Sequence, residues 1–257
     1  MEPLTVSPAL LDSLQGDLSG LPQDDPDRRC PCGGDKCDGY GHVYTGEGMK
    51  ICKAMREQEI IRMLPEFEDW PVLPFTEIRT KSSFLATRSF TEAELLARAA
   101  IDPVRDPYAL IELGGHGRSK TYSALQVCRI CAYKNVPFVA VRFPAIINQY
   151  KRGVDGCGWI DRLYAQIKKS RFVFIDEYGR EAIRGNLDHS RIALNEVVNR
   201  CYRQRFLTIT SNMTREEFKK NVSSDLVSRL FTRNGYSRII EEPSGKEHDL
   251  RDQPRLI

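Results

Sequence analysis

Residues 109–123 read Ala-Leu-Ile-Glu-Leu-Gly-Gly-His-Gly-Arg-Ser-Lys-Thr-Tyr-Ser. A short apolar run (Leu110, Ile111, Leu113) feeds a glycine-rich loop that ends in Lys120-Thr121, and a helical pattern follows. This is the layout of a phosphate-binding loop. Glycines let the backbone curl until several N–H groups face one anion, and the new helix adds the positive end of its dipole. The candidate contacts to a nucleotide are Gly114, Gly115, His116, Gly117, Arg118, Ser119, Lys120, Thr121 and Tyr122. Lys120 is expected to reach the β- and γ-phosphates, and the Thr121 hydroxyl to hold Mg²⁺. Ser119 departs from the pattern G-x-x-x-x-G-K-[ST], in which glycine precedes the lysine. Taken alone, the stretch also reads as a glycine-rich strand-to-helix turn with an incidental lysine.

Residues 172–177, Phe-Val-Phe-Ile-Asp-Glu, weigh against that plainer reading. A continuous apolar run suits a parallel strand buried on both faces. Carboxylates at its end sit at the mouth of the sheet, where ligands of open α/β sheets bind. Asp176 is expected to position Mg²⁺ through water, and Glu177 to polarise an attacking water. A further strand ends in Thr210-Ser211-Asn212. The Asn212 amide both donates and accepts, so it can orient that water. It can equally cap the helix that begins near Thr214.

Around these stretches, strands and helices alternate, which argues an α/β domain with a parallel sheet. Strands are expected at 109–113, 138–142, 172–176, 206–210 and about 236–240. Helices are expected from the loop to about Asn135, at 144–151, 158–169, 189–204, 214–220 and 223–232. Upstream, Thr91 with Glu94 three residues on predicts a capping box opening a helix over 91–100. Cys128 and Cys131 read as small packing residues on the helix after the loop.

The chain has 257 residues, room for one good-sized core plus an appendage. The formal charge is +3, so any nucleic-acid surface must be a local patch. No apolar run approaches about 18 residues, and no membrane span is expected. With no signal-peptide pattern, the expected compartment is the cytoplasm. Residues 1–28 read as a flexible tail, 29–64 as a metal module with a helix, and 65–104 as a linker and helix. The α/β nucleotide-binding domain is expected over 105–241, with a polar tail at 242–257.

Four of the eight cysteines fall within residues 30–52: Cys30, Cys32, Cys37 and Cys52. In a cytoplasmic chain such a cluster reads as metal ligands before disulfides. The spacing C-x-C-x₄-C-x₁₄-C, with glycines between, suits knuckle turns around a structural Zn²⁺. His42 can replace one cysteine, and free thiols in a loop are the plainer alternative. So few apolar residues could hardly fold without the metal, whose binding supplies roughly 10 kcal/mol or more.

Together, Gly114–Thr121, Phe172–Glu177, Ser211-Asn212 and Ser228-Arg229-Leu230 resemble the AAA+ ATPases of the bacterial helicase-loader group (DnaC/DnaI-like). Their relatives are the IstB-type ATP-binding helpers of transposases. The resemblance covers roughly residues 105–241. It implies a P-loop sheet of strand order 5-1-4-3-2, ATP hydrolysis, and self-oligomers with Arg229 offered to a neighbouring subunit's nucleotide. It assigns Asp176 and Glu177 to the second nucleotide motif and Asn212 to the first sensor. The cysteine cluster resembles the N-terminal zinc module of DnaI-like loaders, which contacts the replicative helicase. The segment 144–152 lies where this group faces single-stranded DNA, which makes Tyr150, Lys151 and Arg152 candidate contacts. Residues 242–257 are too short for the helical lid of many AAA+ proteins, and no second-sensor arginine is assigned. The expected function is loading of a replicative helicase. The alternatives are a transposase helper and an ATP-binding adaptor that does not hydrolyse.

Overall fold

The computed structural model describes residues 32, 37, 42–45, 48–52, 60, 62–67, 84–115, 120–179, 187–231 and 236–242. The chain divides into two units, Met1–Glu59 and Ile60–Ile257. The first holds an antiparallel hairpin, β1 (His42–Thr45) with β2 (Gly48–Ile51), in which Thr45 pairs with Gly48. Gly48 has φ 120°, an angle that glycine takes without strain. The glycines that made this stretch read as a loop thus leave room for two short strands.

The second unit is an α/β/α sandwich. After a 3₁₀ turn at Pro65–Phe67 come α1 (Phe84–Ile101), β3 (Ala109–Gly114), α2 (Lys120–Tyr133), β4 (Phe138–Arg142), α3 (Phe143–Lys151) and α4 (Val154–Lys169). Then follow β5 (Phe172–Tyr178), α5 (Leu187–Cys201), β6 (Phe206–Ser211), α6 (Arg215–Asn221), α7 (Ser224–Phe231) and β7 (Ser237–Glu242). The five long strands form one parallel sheet in the order β4-β5-β6-β3-β7. Counted from β3, that is the expected order 5-1-4-3-2.

Alternation along the strands sends side chains into two cores. Val173, Ile175, Leu207 and Ile209 join one core with α3, α4, α5, α6 and α7. Phe172, Phe174 and Phe206 join the other with α1 and α2. The second core also receives Ile60, Leu64 and Phe67, and Phe67 stacks on Phe174 at 5.6 Å. Arg171 fastens the end of α1 by donating from Nε to the Ala100 carbonyl at 2.7 Å.

Two local expectations are corrected. Thr91 is no cap: α1 starts at Phe84 and runs through it. Ser89 and Phe90, the two residues before it, are fully buried, and that packing carries the helix past the polar pattern. The helix expected from residue 158 starts at Val154. A Cβ on Gly156 would lie 2.0 Å from the Gln149 carbonyl oxygen, so this glycine lets α3 and α4 approach. Met63 and Ile192 are apolar yet more than half exposed.

Candidate functional site

The site is built at the carboxyl ends of β3, β5 and β6, around the start of α2. β3 ends in Gly114 (φ 115°), whose N–H donates to the Met213 carbonyl at 3.0 Å. The loop thereby rests on the segment that follows β6. His116 to Ser119 lie outside the described residues. Lys120 opens α2 and is buried. Its ammonium donates to the carbonyls of Gly114 (2.9 Å) and Gly115 (2.7 Å) and to Asn212 Oδ1 (3.2 Å). Residues far apart in sequence are thus joined by a charge-assisted contact.

Thr121 Oγ1 donates to Asp176 Oδ1 at 2.7 Å. A hydroxyl has one proton and two lone pairs. With its proton on Asp176, Thr121 keeps its lone pairs for a cation. Thr210 Oγ1 donates to the same Oδ1. Burial pushes the Asp176 carboxyl above its usual range, while the hydrogen bonds from Thr210 and Thr121 act the other way. Glu177 follows with φ 60°, and its backbone N–H donates to Thr210 Oγ1 at 3.1 Å. Behind the loop, Ser123 Oγ donates to the buried Glu112 carboxylate at 3.1 Å, tying α2 to β3. Tyr122 turns its ring edge-on to Phe90, 6.0 Å away.

Hydrogen bonds thus pair Lys120 with Asn212 and Thr121 with Asp176, with Glu177 next to Asp176. Thr210 is the residue that sequence reasoning passed over. Its only signal was its place in the polar strand end 210–212.

Arg229 stands apart from this group. Its guanidinium lies over the Tyr202 ring at 5.6 Å, and Tyr202 precedes β6 whereas Asn212 follows it. A strand of this length spans about 20 Å, so Arg229 belongs to the opposite end of the sheet from the loop. Tyr150 is half-buried and its hydroxyl is 2.6 Å from that of Tyr164, whose ring carries the Arg200 guanidinium at 3.9 Å. Lys151 and Arg152, at the end of α3, are exposed. Cys128 and Cys131 are fully buried, and burial pushes the Cys131 thiol up to about 12. Such thiols are packing residues.

In the N-terminal unit, the sulfurs of Cys32 and Cys37 are 3.3 Å apart, and those of Cys52 and Cys32 3.8 Å. All three lie within 4.8 Å of one another. A tetrahedral Zn²⁺ with Zn–S bonds of about 2.3 Å places its sulfurs about 3.8 Å apart, so these three thiols are close enough to serve as donors to one ion. Cys30 lies outside the described residues, and so does the side chain of His42. Among the described residues, no helix is long and apolar enough to cross a membrane.

The fold of the chain has counterparts among solved structures. The chain is similar to domain III of the replication initiation protein DnaA from Thermotoga maritima, with 17% identity and a TM-score of 0.50. The match covers 69% of this chain and 71% of that one. It is also similar to DnaI (16% identity, TM-score 0.47, 72% of this chain and 89% of that one). A third match is the DnaC helicase loader (17% identity, TM-score 0.45, 62% and 92%). No protein-family model matches the chain, and no curated protein matches it. The likeness is one of fold: the chain shares the fold of DnaA domain III.

Proposed function

We propose that this chain is an ATP-dependent AAA+ switch. It binds a replicative DNA helicase and single-stranded DNA, and helps to load that helicase. One observation carries the nucleotide reading. The hydroxyl and ammonium at the start of α2 reach the carboxylate ending β5 and the amide following β6. A strand-to-helix turn with an incidental lysine has no reason to bury these groups and join them.

In this reading a triphosphate takes over the Lys120 donors that now serve Gly114, Gly115 and Asn212. Thr121 and Asp176 are the residues for Mg²⁺, which when bound neutralises phosphate charge. Glu177 accepts the proton of the attacking water, and Asn212 aligns that water. ATP and water yield ADP and phosphate. Arg229 is too distant to serve its own site and is offered to the next subunit, where such a guanidinium is worth roughly 10³–10⁵ in rate. The three close thiols support a structural zinc module, and that module favours a helicase partner over a transposase. Lys151 and Arg152 contact the phosphates of a single strand, with the Tyr150 ring held beside them.

ATP turnover of the natural chain and of Glu177→Gln, with and without single-stranded DNA, tests the enzyme claim. Turnover that rises with DNA and disappears in the variant is expected. Equal background rates throughout would leave an ATP-binding adaptor. A pull-down against a hexameric helicase tests the partner, and oligomerisation on duplex DNA without helicase contact would point to a transposase helper.

A further inference from the structure

The ladder between β5 and β6 is interrupted at the acidic pair. Ile175 pairs with Ile209, and the next pair is Tyr178 with Ser211. Two residues of β5, Asp176 and Glu177, therefore face the single residue Thr210 of β6. This is a β-bulge, a device that re-aims side chains beside active sites. Glu177 carries the strained part of it, since φ 60° is an angle that non-glycine residues rarely take. Its N–H has left the ladder and needs another acceptor.

We infer that Thr210 is the positioning residue of this acidic pair, a role that rests on the ATPase reading above. Its hydroxyl takes the place of the missing ladder bond. It accepts the Glu177 N–H at 3.1 Å and gives its one proton to Asp176 Oδ1. One buried side chain thus fixes the backbone of the residue that handles water and the carboxylate that serves the metal. Thr121 also donates to Oδ1, so both protein donors converge on that oxygen. Oδ2 accepts no hydrogen bond from the described residues, which leaves it for metal-bound water. Nothing but a hydroxyl does both jobs here: it needs a proton, a lone pair and the small size of a strand residue.

Thr210→Val keeps the shape and removes the proton and lone pairs, while Thr210→Ser keeps the hydroxyl. Thr210→Ala gives a second hydroxyl-free chain should the valine variant not fold. ATP turnover is expected to fall about 10- to 100-fold in the hydroxyl-free variants, with ATP affinity within about twofold and the serine variant near the natural rate. Exchange of the Glu177 amide hydrogen should quicken by about tenfold or more in the same variants and not in serine. Unchanged turnover without the hydroxyl, or an equal fall in serine and valine, would overturn the inference. A natural chain with no ATP turnover would remove the enzyme reading instead. The amide would then decide: quicker exchange in Thr210→Val keeps the tie, and unchanged exchange overturns it.

Discussion

Glu66 shows how one residue can be set against its own charge. Its carboxylate accepts the Arg142 N–H at 2.7 Å, just before α3 begins. Burial nevertheless raises its carboxyl above the usual value of 4.5, with the Arg142 contacts opposing. The folded chain therefore holds this proton more tightly than the unfolded chain, and its contribution to stability falls as pH rises through that region. Glu66→Gln keeps an acceptor for the Arg142 N–H and cannot ionise. Urea unfolding at several pH values should show the variant gaining on the natural chain from about pH 4.5 upward. A difference that does not change with pH would contradict this. At this scale the proposed site was legible because the chemistry proposed for it demands residue types: an ammonium for phosphates, a hydroxyl and carboxylate for Mg²⁺, an amide for water. Thr210 was not, because its role depends on a bulge, and Phe-Leu-Thr-Ile-Thr reads as an ordinary strand.

Among the elements, the crossing of α3 and α4 offers a paired test. Gly156 and Gly158 both lie inside α4. A Cβ at Gly156 would meet the backbone of Gln149, whereas one at Gly158 would meet only the Arg162 side chain at 3.7 Å. Gly158→Ala should stabilise by about 0.5–1 kcal/mol through helix propensity. Gly156→Ala should destabilise by about 1–3 kcal/mol, because backbone cannot yield as a side chain can. Thermal unfolding checks both, and equal effects would show that the helices have room. The same glycines explain a misplaced boundary: a glycine inside a helix looks like a break until a neighbouring backbone is seen beside it. Thr91 misled in the opposite way, since buried Ser89 and Phe90 continue the helix through a capping pattern. The sheet strands were legible because runs such as Phe172–Ile175 are apolar at every position. Only strands buried on both faces need that.

For the molecule as a whole, strand order came from the resemblance carried by a few motifs, and no periodicity in the sequence contains it. The hairpin β1–β2 stayed hidden because its strands are four residues each and rich in glycine surroundings. Metal analysis should find one zinc per chain, lost in Cys32→Ser/Cys37→Ser; a folded, metal-free N-terminal unit would remove that module. Arg229→Ala should leave ATP binding intact and lower turnover only where subunits assemble, by roughly 10³-fold or more. The same loss in dilute monomers would place the arginine in its own site. Equilibrium titration of the natural chain with ATP and Mg²⁺, beside Lys120→Ala, bears most directly on the central claim. One ATP bound per chain, with binding abolished in the variant, is the predicted result. Undiminished affinity in Lys120→Ala, or no binding by the natural chain, would contradict it.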